Sequence, residues 1–392
     1  MMRTEKLYET DGHLFVFRSV VTEITEIDGK PAVALAQTAF FPTGGGQACD
    51  TGTLGGVKVL QTAEVAGTVY HFVEASSSFA VGDEVVGEIA AAQRFSRMQA
   101  HSGEHIVSGV AHNLYGVENV GFHMDGLLMT VDFDRPLTKE QIGRIEQAAN
   151  EAVYADVVVT AQTYTKEEAA AIEYRSKKEF EADVRIVTVV GVDRCACCAP
   201  HVSRTGEIGL IKILSCVSHR GGVRITLICG AEAYADYCDK YRQTLRIAAL
   251  TASRHSETDQ AVEALIAQNK ELKNEIYAQK KRLCACIAAH APASDGNLVV
   301  FAESCDPEEL CEIALLLAEK AAGAAVACSG NDDDGYTYAV YCRGAAMNRH
   351  AKAINTALNG RGGGRDELIR GSFRASRSDI ETFFRTFEVE RP

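Results

Sequence analysis

The sequence predicts an α+β chain in four parts: a small N-terminal β-barrel over residues 1–90, an α+β domain over 91–230, a long helical segment over 231–290, and a small C-terminal α/β domain over 297–392. Three observations carry this. Short alternating apolar and polar runs, separated by glycine turns, fill the first ninety residues. Helical and strand patterns then alternate up to residue 230. A proline-free helical stretch follows, and a linker leads from it to a β-α-β-β pattern.

The chain has 392 residues, enough for two to three domains at about 150 residues each. It is 46% hydrophobic and 24% charged, with a mean hydropathy of −0.06, which excludes a disordered chain. No apolar run approaches the ~18 residues of a membrane helix, and the N-terminus shows no signal-peptide core, so the cytoplasm is expected. Thirteen cysteines in such a chain point to metal binding or buried thiols rather than a disulfide scaffold. A net charge of −13 argues against indiscriminate nucleic-acid binding. One basic stretch remains. Between Arg343 and Arg377, eight basic residues face only Asp366 and Glu367.

In the barrel, the runs are His13 to Thr25, Pro31 to Ala39, Leu54 to Ala63, Thr68 to Val73 and Glu84 to Ile89. Gln93 to His112 reads as a helix from Phe95, Met98, Ile106 and Val110. Strands follow at Val120 to Met124 and Leu127 to Phe133, then a helix at Thr138 to Tyr154. Further strands are read at Val157 to Tyr164, Val184 to Val190, Ile208 to Cys216 and Val223 to Cys229. In the long helical segment Val262, Asn269, Ile276 and Leu283 fall at position a of a heptad, with Leu265 and Leu272 at d. An asparagine at one a position sets register in coiled coils, so a homodimer through this segment is expected. The C-terminal part reads Leu298 to Phe301, Pro307 to Ala321, Ala324 to Ala327 and Tyr336 to Cys342 as β-α-β-β. Helices follow near Met347 to Leu358 and Ser378 to Phe387.

Three constellations carry chemistry. His101-Ser-Gly-Glu-His105 puts two imidazoles on one helix face, ~6 Å apart along the axis, a spacing suited to one metal ion. His112 lies too far along that face to join them. Ser102 stands where a zincin carries glutamate, which disfavours a metalloprotease. Glu104 is placed on another side of the helix, and surface roles are expected for it and Ser102. Cys195-Ala-Cys197-Cys198-Ala-Pro-His201 supplies further ligands; spacing leaves open a Cys195–Cys198 knuckle or a Cys197–His201 clip. The softness of the combined set favours zinc. Phe40-Phe-Pro-Thr-Gly44-Gly45-Gly46-Gln47 offers either exposed backbone amides or a tight barrel turn.

In their order, FFPTGGGQ, HSGEH, CCAPHVSRTGEIG and IKILSCVSHRGGVR resemble the alanyl-tRNA editing proteins of the AlaX type, over residues 1 to about 230. The same order occurs in the editing domain of alanyl-tRNA synthetase. Gly360-Arg-Gly-Gly-Gly-Arg365 resembles the glycine-rich C-terminal domain of those synthetases, so the whole chain looks like the long form of the family. The resemblance implies zinc ligands His101, His105, Cys197 and His201. It implies that Thr38 recognises serine, and that Gly44, Gly45, Gly46 and Gln47 face the amino-acid ester and the terminal adenosine. Lys212, Arg224, Arg361 and Arg365 would touch tRNA. Ala199-Pro200 replaces the family's usual glycine-threonine. The chain starts at the barrel, so ligase activity is expected to be absent. The expected function is trans-editing: zinc-dependent deacylation of tRNA for alanine mischarged with serine, and of its glycyl form. The rivals are a non-catalytic RNA-binding protein with a structural zinc and a zinc hydrolase of a small ester.

Overall fold

In the computed structural model, which describes residues 3–126, 128–176 and 183–389, the chain divides into two compact units, Met1–Leu245 and Arg246–Pro392. It is an α+β protein. Leu127, read from the sequence as the head of a strand, lies outside the described residues, as do residues 390–392.

The first unit opens with the strands Val16–Ile27, Lys30–Leu35, Gly52–Leu54, Val57–Val65, Thr68–Val73 and Glu84–Ile89, which close into a barrel. Its core is Phe17, Val21, Leu35, Phe40, Leu54, Val59 and Val73. Barrel and helix α1 (Ala91–Tyr115) are joined by a buried ion pair. Arg94 is fully buried, and its Nε donates to Asp50 Oδ2 at 2.9 Å while Nη1 donates to Gly12 O at 3.0 Å. Gly116, in the left-handed region at φ 63°, ends α1. Helix α2 (Lys139–Tyr154) starts with a capping box between Thr138 and Gln141, and the one-turn α3 (Lys166–Ala169) follows.

Two antiparallel sheets flank α1. One runs Ile211–His219, Gly222–Cys229, Leu128–Phe133, Asn119–Asp125; the other runs Val159–Tyr164, Val184–Val189, Asp193–Ala196. The core between helices and sheets includes Met98, Ile106, Val131, Ile145, Ile225 and Leu227. Because α1 is covered on several sides, its residues from Met98 to Ala111 are all buried. The expectation that Ser102 and Glu104 are surface residues is therefore corrected: Ser102 is 0% and Glu104 5% exposed.

The helical segment expected as one element over 231–290 is two helices, α4 (Gly230–Thr251) and α5 (Thr258–His290). The break carries Ala252 at φ 51°, a conformation that cannot propagate a right-handed helix. On α5 the heptad positions Val262, Leu265, Leu272, Ile276 and Leu283 are all exposed.

The second unit also holds a five-stranded sheet in the order Leu298–Phe301, Ala325–Asn331, Gly335–Tyr341, Leu368–Phe373, Arg361–Arg365. Helices α6 (Pro307–Leu317), α7 (Met347–Ala357) and α8 (Arg377–Thr386) complete it. Asp306 with Glu309, and Pro307 in the first turn, start α6. The glycine-rich run Arg361–Arg365, whose residue types carry no strand signal, is an edge strand paired with Leu368–Phe373.

Candidate metal centre and its cavity

His101 and His105, one turn apart on α1, meet Cys197 and His201 from the loop after Asp193–Ala196. One ligand atom from each lies within 4.8 Å of all the others. Cys197 Sγ is 3.5 Å from His101 Nε2 and 3.4 Å from His201 Nε2. The ring centroids of His105 and His201 are 4.6 Å apart. Every imidazole is oriented from behind. His101 Nδ1 lies 2.9 Å from Gln47 Oε1, His105 Nδ1 lies 3.2 Å from Asp193 Oδ2, and His201 Nδ1 lies 2.9 Å from Ser102 Oγ. With the outer nitrogen as the N–H, such bonds leave Nε2 as an inward lone pair, the arrangement of metal-ligating histidines. Asp193 is itself held by Arg175, whose Nε and Nη2 donate at 2.7 and 2.9 Å. Gly109 makes this possible: a Cβ there would come within 2.6 Å of Asp193 Cβ.

The donor set therefore fits a metal ion. Three imidazoles and one thiol match a tetrahedral N/S site. Burial pushes the Cys197 thiol up, but the His101 and His201 rings overcome this and hold it well below the ordinary thiol range. Burial holds His201 neutral, with its pKa lowered to about 3. Burial also opposes a charged His105, yet its bonds to Asp193 and Cys197 carry it upward. The Ala199 amide donates to Cys197 Sγ at 3.5 Å, so the departure from the family pattern at Ala199-Pro200 still leaves one donor to the sulfur. A second grouping, His105 with Asp193 and Cys195, is also close enough for an ion. There Asp193 is already engaged by Arg175, and burial raises the Cys195 thiol.

The cluster opens on a cavity of about 710 Å³, lined among others by Gly45, Glu104, Asn119, Phe122, Arg175 and Arg185. Gly44 to Gln47 form a tight turn: the Gly44 and Gln47 amides donate to each other's carbonyls at 3.1 and 2.9 Å. Gly45 and Gly46, at φ 57° and 82°, fit its two left-handed positions. Only glycine suits position 46, where a Cβ would come 2.7 Å from the Phe122 ring. Of the two readings of this run, the tight turn is the observed one, and it places Gly45 in the cavity wall.

Sequence reasoning brought the other named residues less close. Thr38 is fully buried and is not among the lining residues. Its hydroxyl donates to His71 Nε2 at 2.8 Å and accepts from the Phe40 amide at 3.1 Å. His71 Nδ1 donates to Val33 O at 3.0 Å, and burial lowers its pKa to about 4, so it is the neutral acceptor that Thr38 requires. Lys212 pairs with Glu146 at 2.6 Å, and Arg224 pairs with Asp132 through two bonds of 2.6 and 2.7 Å. A phosphate contact at either would displace a carboxylate. Arg361 and Arg365 are exposed on the edge strand. Asp193, Arg175 and Arg185 were missed, since their partners are distant in sequence. Arg185 Nη1 donates to Cys197 O and Ala199 O at 2.8 and 3.0 Å, clamping the ligand loop.

Residues 184–226, which hold Cys197 and His201, match the family model described as Threonyl and Alanyl tRNA synthetase second additional domain. The chain is similar to alanyl-tRNA editing proteins and to alanine–tRNA ligases. It is 24% identical to the alanyl-tRNA editing protein AlaX-L of Pyrococcus horikoshii over 96% of both chains. It is 32% identical to the mouse alanyl-tRNA editing protein Aarsd1 over 46% of this chain and 45% of that one. The alanine–tRNA ligase of Ignicoccus hospitalis matches 92% of this chain at 27% identity. The chain spans less than half the length of the alanine–tRNA ligases it matches. A solved C-Ala domain from Aquifex aeolicus alanyl-tRNA synthetase aligns with 24% of this chain and 92% of its own, at 18% identity and a TM-score of 0.21, too low to carry an argument. Among the described residues, no helix is long and apolar enough to cross a membrane.

Proposed function

We propose that the chain is a trans-editing deacylase. It would bind tRNA for alanine that carries serine, or glycine, and hydrolyse the aminoacyl ester at the His101–His105–Cys197–His201 centre with zinc as the metal. The observation that carries this reading is the convergence of four oriented ligands on a cavity, in a chain aligned end to end with an editing protein. Bound zinc would supply Lewis-acid polarisation of the ester carbonyl or a water of lowered pKa. Gln47, Asp193 and Ser102 hold the ligand imidazoles, and Arg185 holds the loop that carries the thiol. Gly45, from the Gly44–Gln47 turn, lines the wall near which the ester would lie. The test is a time course of ester loss from seryl- and alanyl-tRNA of the alanine type. Rapid loss of serine with alanine retained supports the reading; no loss of either leaves a non-catalytic RNA-binding protein with a structural metal.

Thr38→Val separates two uses of one hydroxyl. It removes the donor to the buried His71 Nε2, so stability should fall by about 1–3 kcal/mol, read by chemical unfolding. If the hydroxyl also meets the serine side chain, the serine-over-alanine rate ratio narrows as well. A lowered stability with an unchanged ratio assigns Thr38 to the barrel alone.

We further propose that tRNA is held through the second unit. Arg343, Arg349, Lys352, Arg361, Arg365, Arg370, Arg374 and Arg377 are all exposed. Replacing Arg361 and Arg365 with glutamine should weaken tRNA binding. It should also lower the slope of log affinity against log salt by roughly 0.7 to 0.9 per lost contact. Hydrolysis of a minimal aminoacyl ester should be untouched. The exposed heptad seam of α5 supports a homodimer through that helix.

A further inference from the structure

We propose that Glu104 is the group that receives the α-ammonium of the aminoacyl substrate, an inference that rests on reading the cavity as an aminoacyl-ester site. Glu104 precedes the ligand His105 on α1, is 5% exposed, and lines the cavity beside His101 and Cys197. Its Oε1 accepts from Ser108 Oγ at 2.5 Å and from Asn119 Nδ2 at 2.6 Å. Asn119 Nδ2 also donates to Ser108 Oγ at 3.0 Å, which closes a three-membered clamp on one carboxylate oxygen. Both bonds converge on Oε1, Glu104 lines the cavity, and no hydrogen bond among the described residues takes Oε2.

No cation among the described residues forms an ion pair with Glu104, although the arginine in the same wall, Arg175, is given over to Asp193. The other acids of the cavity are differently placed. Glu118 and Asp183 are exposed, Glu9 has Lys6 at 3.8 Å, and Asp193, behind the wall, is taken by Arg175 and His105. A buried carboxylate that no cation among the described residues hydrogen-bonds, with Arg175 acting on it only from a distance, is costly to keep. A ligand that brings an ammonium with three N–H donors relieves that cost. In an aminoacyl ester the ammonium is one carbon away from the carbonyl. A carboxylate one residue from a ligand histidine is therefore suitably placed for the amine when the carbonyl lies at the cluster. The acceptors of the neighbouring Ser108 and Asn119 are already engaged: Ser108 Oγ accepts from Asn119 Nδ2 at 3.0 Å and Asn119 Oδ1 accepts from the Gly121 amide at 3.1 Å.

The test uses the full chain with its metal and two substrates, seryl-tRNA and seryl-tRNA treated with nitrous acid, which exchanges the amine for a hydroxyl of similar size. The wild type should cleave the amine-bearing ester about 10- to 100-fold faster in kcat/KM, the range of one charged hydrogen bond. Glu104→Gln keeps the acceptor for Ser108 and Asn119 and removes the charge. It should lose most of that preference, read as the ratio of kcat/KM for the two esters. A preserved preference overturns the inference, and so does an equal fall on both esters, which a proton-transfer role would give. A wild type that cleaves neither ester overturns the deacylase reading, and this inference with it. If the melting curve shows that Glu104→Gln does not fold, Glu104→Asp, whose charge is drawn back by one methylene, should show a reduced preference; an unchanged one overturns the proposal.

Discussion

Replacing Cys197 with serine, or His201 with alanine, is expected to abolish most metal binding, with zinc content of the purified protein falling from about one equivalent to a small fraction of one. Cys197 is the sulfur on which the inward nitrogens of His101 and His201 converge, and nothing else among the described residues replaces it at those distances. Cys195→Ser and Cys198→Ser should retain the metal. The reverse pattern, with loss on changing Cys195 and retention on changing Cys197, would move the ion to the grouping of His105, Asp193 and Cys195. Elemental analysis of the four variants decides between the two.

The second large effect falls on stability. Asp50→Asn is expected to cost about 3–5 kcal/mol, because it removes the carboxylate charge that pairs with the fully buried Arg94 guanidinium. Asp50 Oδ2 accepts from the Phe41 amide at 2.6 Å as well as from Arg94 Nε, so a carboxamide oxygen in that position keeps both acceptor roles and loses only the charge. Urea unfolding of the single variant, and of the pair with Arg94→Met, reads the effect. The double variant should recover much of the loss, since no unpaired charge remains. The joint matters to the site: Asp50 is three residues beyond Gln47, and Arg94 lies two turns before His101. Loosening the pair should therefore disturb the Gln47–His101 bond.

Local spacing made the two ligand clusters readable, though not which cysteine of the second serves. The i, i+4 histidines and the compact Cys197–His201 run each declare themselves within five residues. The resemblance chose Cys197, and the structure places its sulfur among the imidazoles. What orients those ligands was not readable, because each partner is remote: Gln47 is 54 residues from His101, Asp193 is 88 from His105 and Ser102 is 99 from His201. Glu104 was misplaced for a different reason. A helical wheel assumes one buried face, whereas sheet, barrel joint and cysteine loop enclose α1 on several sides. The glycine-rich strand Arg361–Arg365 lacks every β-branched or aromatic cue; it is a strand only because Leu368–Phe373 pairs with it. The break between α4 and α5 carries no proline or glycine to announce it.

The central claim is that the oriented His/Cys centre is where an aminoacyl-tRNA ester is hydrolysed. Its most direct measurement is seryl-tRNA deacylation by protein stripped of metal with a chelator and then titrated with zinc. The account requires hydrolysis to be lost on stripping and to return in proportion to added zinc, with a break near one equivalent and no return in Cys197→Ser. Equal hydrolysis by the stripped protein and by Cys197→Ser would contradict it.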